Sequence, residues 1–189
     1  MQNTKNILFG VTGSVAAIKI PEIVERLHNL ATSDNNSVNI KIVRTLSAKE
    51  YFFDSESSDK FEVFDDCPRV KYNKSDPILH IELRRWADIY VICPLDANTL
   101  AKISTGLCDN LLTDIARAWD MNKPFWVYPC MNTFMYEHIL TEEQLNKLKS
   151  FGIKVIEPIS KKLACGDYGM GGLPEPQDIA NDLYTSLFK

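Results

Sequence analysis

Residues 10–14, Gly-Val-Thr-Gly-Ser, join an apolar run to a segment with helical spacing of its apolar residues. A glycine lets the backbone turn tightly beside a ligand, and the N–H groups that open the following helix favour an anion. Ser14 adds a hydroxyl donor. The dinucleotide motif G-x-G-x-x-G lacks its third glycine here, and residues 44–47, Arg-Thr-Leu-Ser, stand where that motif needs an acid for the ribose. The segment therefore favours a phosphate, with a plain glycine turn as the alternative.

Polar side chains follow the most apolar run of the chain. In residues 94–99, Asp96, Asn98 and Thr99 stand at the expected start of a helix, where they either bind a ligand or only cap the helix. His80 lies among the aliphatic residues 78–83 and is either a core histidine or a general base with a tuned pKa. Spacing alone leaves these alternatives open.

Two later segments carry a second set of candidates. Asn132 could hydrogen-bond a carboxylate, and Met131 and Met135 beside it could pack on a flat ring or fill the core. Cys165 lies in the glycine-rich residues 164–172, where a reactive thiol on a lid fits better than a core cysteine. A flexible surface loop with an incidental cysteine is the alternative.

The elements that must position these residues alternate along the chain. Apolar runs predict strands at residues 5–11, 38–44, 88–93, 124–128 and 153–156, with a minor strand or irregular structure over 61–74. Helical spacing predicts helices at residues 14–30, 47–53, 97–103, 110–119, 141–151 and 177–188. Pro21 should bend the first helix or start its regular part, and Thr141 should cap the fifth.

This alternation predicts one α/β domain over residues 1–189, with a Rossmann-like (flavodoxin-like) parallel sheet and helices on both faces. Ligands of such sheets bind outside the carboxyl ends of the strands, which is where the candidate residues fall. Residues 161–176 end in eight residues with five glycines and prolines, so we expect a mobile substrate lid there.

Composition narrows the function classes. A net charge of −4 over 189 residues argues against a nucleic-acid or anionic-membrane partner. No apolar stretch approaches the roughly 20 residues of a membrane span, and the first six residues do not resemble a signal peptide. The five cysteines form no C-x-x-C pair, and no cluster has zinc-ligand spacing, so we expect no metal and a cytoplasmic protein with reduced thiols.

Four motifs in order resemble the homo-oligomeric flavin-containing cysteine decarboxylases. They are H-I-E-L-R-R-W-A-D at residues 80–88, A-N-T at 97–99 followed by G-L-C-D-N-L-L-T at 106–113, P-x-M-N at 129–132, and A-C-G-D-Y-G at 164–169. The resemblance covers nearly the whole chain and implies FMN as the cofactor. It also implies a phosphate site made by Gly13, Ser14, Val15, Thr45 and Ser47, with Ala97, Asn98 and Thr99 along the ring and ribityl chain.

The activity that the resemblance implies is decarboxylation of 4′-phosphopantothenoylcysteine to 4′-phosphopantetheine, a step of coenzyme A synthesis. Oxidation of the substrate thiol to a thioaldehyde would place an electron sink beside the carboxylate. The resemblance makes His80 the catalytic base or polarising group and Cys165 the final proton donor. Asn132 would bind the substrate carboxylate beside Met135. It also implies a homotrimer or a higher multiple, with sites between subunits.

Three residues depart from the pattern of this family. Asp96 stands where relatives usually carry a small residue, and Cys130 and Tyr136 replace an alanine and a tryptophan. Two alternatives share the flavin: a decarboxylase of a peptide's C-terminal cysteine, and a flavin prenyltransferase, which the His80 and Cys165 motifs disfavour. A third is a non-enzymatic phosphatase inhibitor, a role of fungal relatives with long acidic extensions.

Overall fold

The structure, a computed structural model, describes residues 3–54, 56–66 and 77–189. Its strands are β1 (Thr4–Val11), β2 (Ser37–Arg44), β3 (Glu62–Asp65), β4 (Ile89–Leu95), β5 (Phe125–Pro129), β6 (Lys154–Val155), β7 (Ile159–Lys162) and β8 (Tyr168–Gly172). Its helices are α1 (Ile20–Ser33), α2 (Leu46–Tyr51), α3 (Leu79–Trp86), α4 (Ala97–Thr105), α5 (Leu111–Ala118), α6 (Thr133–Tyr136), α7 (Ile139–Ser150) and α8 (Pro176–Phe188). A 3₁₀ turn, Val15–Lys19, precedes α1.

Six strands form one parallel sheet in the order β3-β2-β1-β4-β5-β6. Without the edge strand β3, this is the order of flavodoxin-like folds, and the predicted fold class is confirmed. Strands β7 and β8 pair separately as an antiparallel hairpin.

Side chains of the central strands point alternately into two hydrophobic cores, one on each face of the sheet. Ile7 and Phe9 of β1 pack on one face of the sheet with residues of α1 and α8. Leu8 between them points to the other face and packs with residues of α3, α4, α5 and α7. Because strand side chains alternate between faces, a strand that is buried on both sides must be apolar throughout. The predicted placement of helices on both faces follows from this burial.

The chain leaves the sheet in opposite directions after β1 and β4, which are neighbours in its middle. This is the switch point where ligands of open α/β sheets bind. The Thr12 hydroxyl fastens the two exits together, because it donates to the Pro94 carbonyl and accepts from the Asp96 N–H, both at 2.8 Å. These two hydrogen bonds hold the segments after β1 and β4 together at the bottom of the crevice.

Several sequence expectations need correction. Thr141 does not cap its helix: α7 begins earlier, the N-cap is His138, and the Thr141 hydroxyl donates instead to the Met135 carbonyl at 2.6 Å. Helices α3 and α6 had not been predicted, since each is too short to show a clear helical spacing and buries at most one residue. Pro21 does start the regular part of the first helix, as one of the two expected outcomes.

Residues 161–176 do not form an open loop. They include the end of β7 and all of β8, and these two strands pair with one another. The mobility of this segment remains a prediction. Of the segment over 61–74, the structure forms β3, while residues 67–74, which include Cys67, lie outside the described residues. No helix in the described part of the chain has both the length and the apolar character for crossing a membrane.

Candidate active site

The segments after β1 and β2 meet at the carboxyl edge. A Cβ built on Gly13 would lie 2.8 Å from Ser47 Cβ, so the glycine is needed for this close approach. Ser14 caps the 3₁₀ turn through the Ala16 N–H, and Thr45 caps α2 through the Ala48 N–H. Hydroxyl groups and helix-opening N–H groups therefore lie side by side, as an anion requires.

The guanidinium of Arg44 is held by other partners, contrary to the expectation that its charge in residues 44–47 would favour a phosphate. Its side chain is 2% exposed and forms an ion pair with Asp65, while its guanidinium also donates to the Phe53 carbonyl at 2.7 Å. The hydrogen bond from Arg44 holds the pKa of the Asp65 carboxyl below its usual value. Arg44 is a structural cation that ties α2 and its following loop to β3.

The segment after β4 supplies the second wall. Asp96 caps α4 by accepting the Thr99 N–H at 2.7 Å, and its other oxygen accepts the Gly13 N–H at 3.1 Å. Ala97 is half-buried and Asn98 is exposed at the helix start. The Thr99 hydroxyl is buried and has no hydrogen-bond partner in the described residues. A polar ligand group would satisfy it, so this wall fits a cofactor that carries hydroxyls.

Asn132 follows β5 and caps α6. Its Oδ1 accepts the Phe134 N–H at 2.9 Å, so its amide nitrogen must face away from the helix. That nitrogen lies 3.3 Å from Cys165 Sγ and 2.8 Å from Asp167 Oδ2, both on the tip of the hairpin. The structure thus brings together two residues that stand 33 positions apart and that were both singled out in the sequence.

The two methionines beside Asn132 have different environments. Met131 is 8% exposed and packs in the core, so the core-filling interpretation is correct for it. Met135 is 49% exposed on α6 and is available to contact a substrate.

His80 lies in the first turn of α3 and is half-buried. Within the described ranges it makes no hydrogen bond or ion pair, and none joins it to Asn132 or Cys165. Because α3 leads into β4 and runs antiparallel to it, its first turn lies at the carboxyl edge of the sheet. The imidazole therefore lies at the same edge of the sheet as Asn132. Within one chain it does not join the Asn132–Cys165 pair through a hydrogen bond.

Two of the departing residues are fixed by their neighbours. Cys130 is buried beside the Ser14 hydroxyl, with 3.6 Å between sulfur and oxygen, and burial raises the pKa of its thiol. The Tyr136 hydroxyl donates to Glu157 at 2.8 Å. Burial, and then the Glu157 carboxylate, raise the pKa of Tyr136, so it stays a neutral donor.

Sequence reasoning missed Asp167. It lies in the A-C-G-D-Y-G motif but had been given no role, and it contacts both Asn132 and Cys165. The signal in the sequence was an acidic residue two positions after the cysteine in a glycine-rich turn. In the described ranges, no three His, Cys, Asp or Glu side chains are placed to hold a metal ion.

Known proteins share this architecture. The Flavoprotein family model matches residues 1–187. Mouse phosphopantothenoylcysteine decarboxylase (Mus musculus) is 44% identical over 183 residues, which are 96% of this chain and 86% of the mouse protein. A solved structure of a cysteine-to-serine mutant of PPC decarboxylase, complexed with pantothenoylaminoethenethiol, superposes with a TM-score of 0.87 at 40% identity, covering 99% of this chain and 100% of that one.

The structure described as the FMN binding protein AtHal3 superposes with a TM-score of 0.82 at 42% identity, over 97% of this chain and 96% of that one. Both the family model and the mouse relative extend over nearly the whole chain. The chain belongs to the Flavoprotein family and, within it, to the phosphopantothenoylcysteine decarboxylases.

Proposed function

We propose that this protein is an FMN-dependent decarboxylase that converts 4′-phosphopantothenoylcysteine to 4′-phosphopantetheine in coenzyme A synthesis. The observation that carries the proposal is the 3.3 Å contact between the Asn132 amide nitrogen and Cys165 Sγ. A donor suited to a carboxylate and a thiol suited to proton transfer are thereby joined at one edge of the sheet. The similarity to the mouse enzyme supports the same substrate.

FMN fits the crevice on the evidence of the crowded Gly13 and the unpartnered Thr99 hydroxyl. Its phosphate would be held by Gly13, Ser14, Val15, Thr45 and Ser47, and its ring and ribityl chain by Ala97, Asn98 and Thr99. When bound, it would supply the two-electron oxidation that turns the carbon beside the substrate carboxylate into part of an electron sink, and the reduction that follows.

The chain's own residues would position the substrate and handle its protons. Asn132 would donate its amide N–H to the substrate carboxylate, since its Oδ1 is already engaged by the α6 backbone. Met135 would flank the substrate, and Cys165 would protonate the carbon that has lost CO2. His80 would act as base or polarising group in the early steps.

Self-association would complete the site. Large apolar side chains are exposed at the carboxyl edge or in the helical turns next to it: Val15, Ile18, Leu46, Ile78 and Phe134. An exposed apolar rim around a ligand crevice favours a protein partner. We propose a homotrimer or a higher multiple, in which His80 of one subunit faces Cys165 of another.

The decisive experiment compares two substrates on protein reconstituted with FMN. We expect CO2 and 4′-phosphopantetheine from 4′-phosphopantothenoylcysteine, and little CO2 from a peptide that ends in cysteine. Absorption spectroscopy during reconstitution records flavin binding separately. A protein that cannot be reconstituted, or that acts only on the peptide, would contradict the proposal.

A further inference from the structure

Asp167 occupies the position on Asn132 that the substrate carboxylate needs. The Asn132 amide nitrogen donates to Asp167 Oδ2 at 2.8 Å, and the Cys165 thiol lies 3.4 Å from the same oxygen. Because the Phe134 N–H holds Asn132 Oδ1, the amide cannot turn to offer a second donor on another side. One carboxylate therefore already fills the site proposed for another.

The hairpin is built to hold Asp167 there. At its tip, the Leu163 N–H donates to the Asp167 carbonyl at 2.8 Å, and Gly166 takes a positive φ of 96° that completes the turn. This turn places the side chains of Cys165 and Asp167 within reach of one another.

The second strand of the hairpin is seated on the Asn132 segment. The Met131 N–H donates to the Gly171 carbonyl at 3.0 Å. A Cβ on Gly169 would come within 2.7 Å of Thr133, so only glycine allows this approach. The base of the hairpin is thus fixed, while the tip is held to Asn132 through side chains alone.

We infer that Asp167 is an internal stand-in for the substrate carboxylate and thereby a positioning residue for Cys165. This inference rests on the proposed function. Two carboxylates repel each other at one amide, so the substrate displaces Asp167 and moves the tip off Asn132. When CO2 has left, Asn132 is free again, Asp167 returns, and the Cys165 thiol is carried back over the reacting carbon.

The consequence is an order of events. Once the substrate thiol has been oxidised to a thioaldehyde, the bond from the α-carbon to the carboxylate breaks and CO2 departs. The electron pair left behind forms the C=C bond of an ene-thiolate, as the C=S electrons move onto sulfur. Only then would the Cys165 S–H proton move to that α-carbon, and the sulfur-bearing carbon would take the hydride that the FMN of the proposed function would supply. Solvent would then reprotonate the Cys165 thiolate. A proton delivered before CO2 loss has no carbanionic carbon to accept it.

A pair of ligands isolates the competition. 4′-Phosphopantothenoylserine keeps the carboxylate but has no thiol to oxidise, and 4′-phosphopantetheine has no carboxylate. If Asp167 is hydrogen-bonded to Asn132 for about nine-tenths of the time, removing its carboxylate raises the apparent affinity for a ligand carboxylate about tenfold. We expect Asp167→Ala to bind the serine analogue about tenfold more tightly in titration calorimetry of the FMN-loaded protein, with 4′-phosphopantetheine affinity unchanged. Asp167→Glu, which keeps the charge, should restore most of the difference.

Turnover supplies the second readout. With 4′-phosphopantothenoylcysteine, Asp167→Ala should lower KM and release CO2, while a large share of the product stays as the ene-thiol. Asp59→Asn, an exposed acid away from this cluster, is the matched control and should behave as wild type. If both ligands change affinity equally, or the ene-thiol share does not rise, Asp167 is only structural and the inference fails. A wild type without CO2 release would instead overturn the proposed function.

Discussion

Gly13 and Asp96 are hydrogen-bonded across the switch point of the sheet, with 3.1 Å between the Gly13 nitrogen and Asp96 Oδ2. The other oxygen, Oδ1, caps α4 at the Thr99 N–H. One acidic side chain therefore orients both segments that we propose hold the flavin. The two hydrogen bonds give a structural reason for an acid at this position, because each carboxylate oxygen accepts from one backbone N–H.

Replacing Asp96 should cost stability in proportion to the acceptors lost. Asp96→Ala removes the cap of α4 and the acceptor of Gly13, so the free energy of unfolding should fall by about 1–2 kcal/mol. Asp96→Asn keeps an oxygen for the cap but loses the acceptor of the Gly13 N–H, so it should lose about half as much, roughly 0.5–1 kcal/mol. Urea unfolding of the protein without flavin measures both. Equal losses in the two variants would show that the carboxylate does not act through these bonds.

The ion pair of Arg44 and Asp65 predicts a pH dependence of stability. Arg44 lowers the pKa of Asp65 in the native state, so the pair contributes fully above the unfolded pKa of about 3.9. That contribution is lost as the pH falls through the lower native-state pKa. Since Arg44 is 2% exposed and Asp65 25%, Asp65→Asn should lower the free energy of unfolding by about 2 kcal/mol at pH 7.

The difference between wild type and Asp65→Asn should shrink in urea unfolding series taken below about pH 4, where the Asp65 carboxyl of the unfolded chain binds a proton before that of the native protein does. Asp59→Asn, at an exposed turn position, is the control and should show no such convergence. A difference that stays constant to pH 3 would mean that the charge of Asp65 does not carry the effect.

Much of the fold was predictable because its signals are local. The runs that became β4 and β5 and the second half of β1 are buried on both faces and are apolar in sequence, while β2 shows the alternation of a strand with one buried face. The place of Gly13 follows from the same logic, since a glycine after a strand marks a close approach. Asn132 and Cys165 were found through motifs, and nothing in their spacing shows that they touch.

The remainder depends on contacts between distant residues. The charge of Arg44 was taken to favour a phosphate nearby because its partner Asp65, on another strand, could not be known. Thr141 looked like a cap because α6, whose Met135 carbonyl takes its hydroxyl, had not been predicted. Asp167 was overlooked because its partner lies 35 residues away on a different segment.

Cys165→Ser should separate decarboxylation from the final reduction. A serine hydroxyl is a much weaker acid than a thiol, so CO2 release should persist while the ene-thiol accumulates. Mass spectrometry detects this product as a species lighter by two hydrogens than 4′-phosphopantetheine. The solved mutant of PPC decarboxylase, in which a serine replaces a cysteine, holds pantothenoylaminoethenethiol, a molecule of this kind.

Cys108→Ser is the matched control for that variant, because Cys108 is half-exposed after α4 and its thiol hydrogen-bonds only to the Gly106 carbonyl among the described residues. It should give the wild-type product. If Cys165→Ser makes fully reduced product, Cys165 is not the proton donor of the final step.

Mixing two variants that each fail to make reduced product tests whether His80 and Cys165 act across subunits. His80→Asn should not release CO2, and Cys165→Ser should release it without making reduced product. If each site takes its histidine from one subunit and its cysteine from the next, co-refolding equal amounts restores about a quarter of the sites. Reduced 4′-phosphopantetheine should then form at about a quarter of the wild-type rate. If both residues of a site come from one chain, no mixture regains the ability to make reduced 4′-phosphopantetheine. Light scattering on each sample shows whether the subunits have assembled.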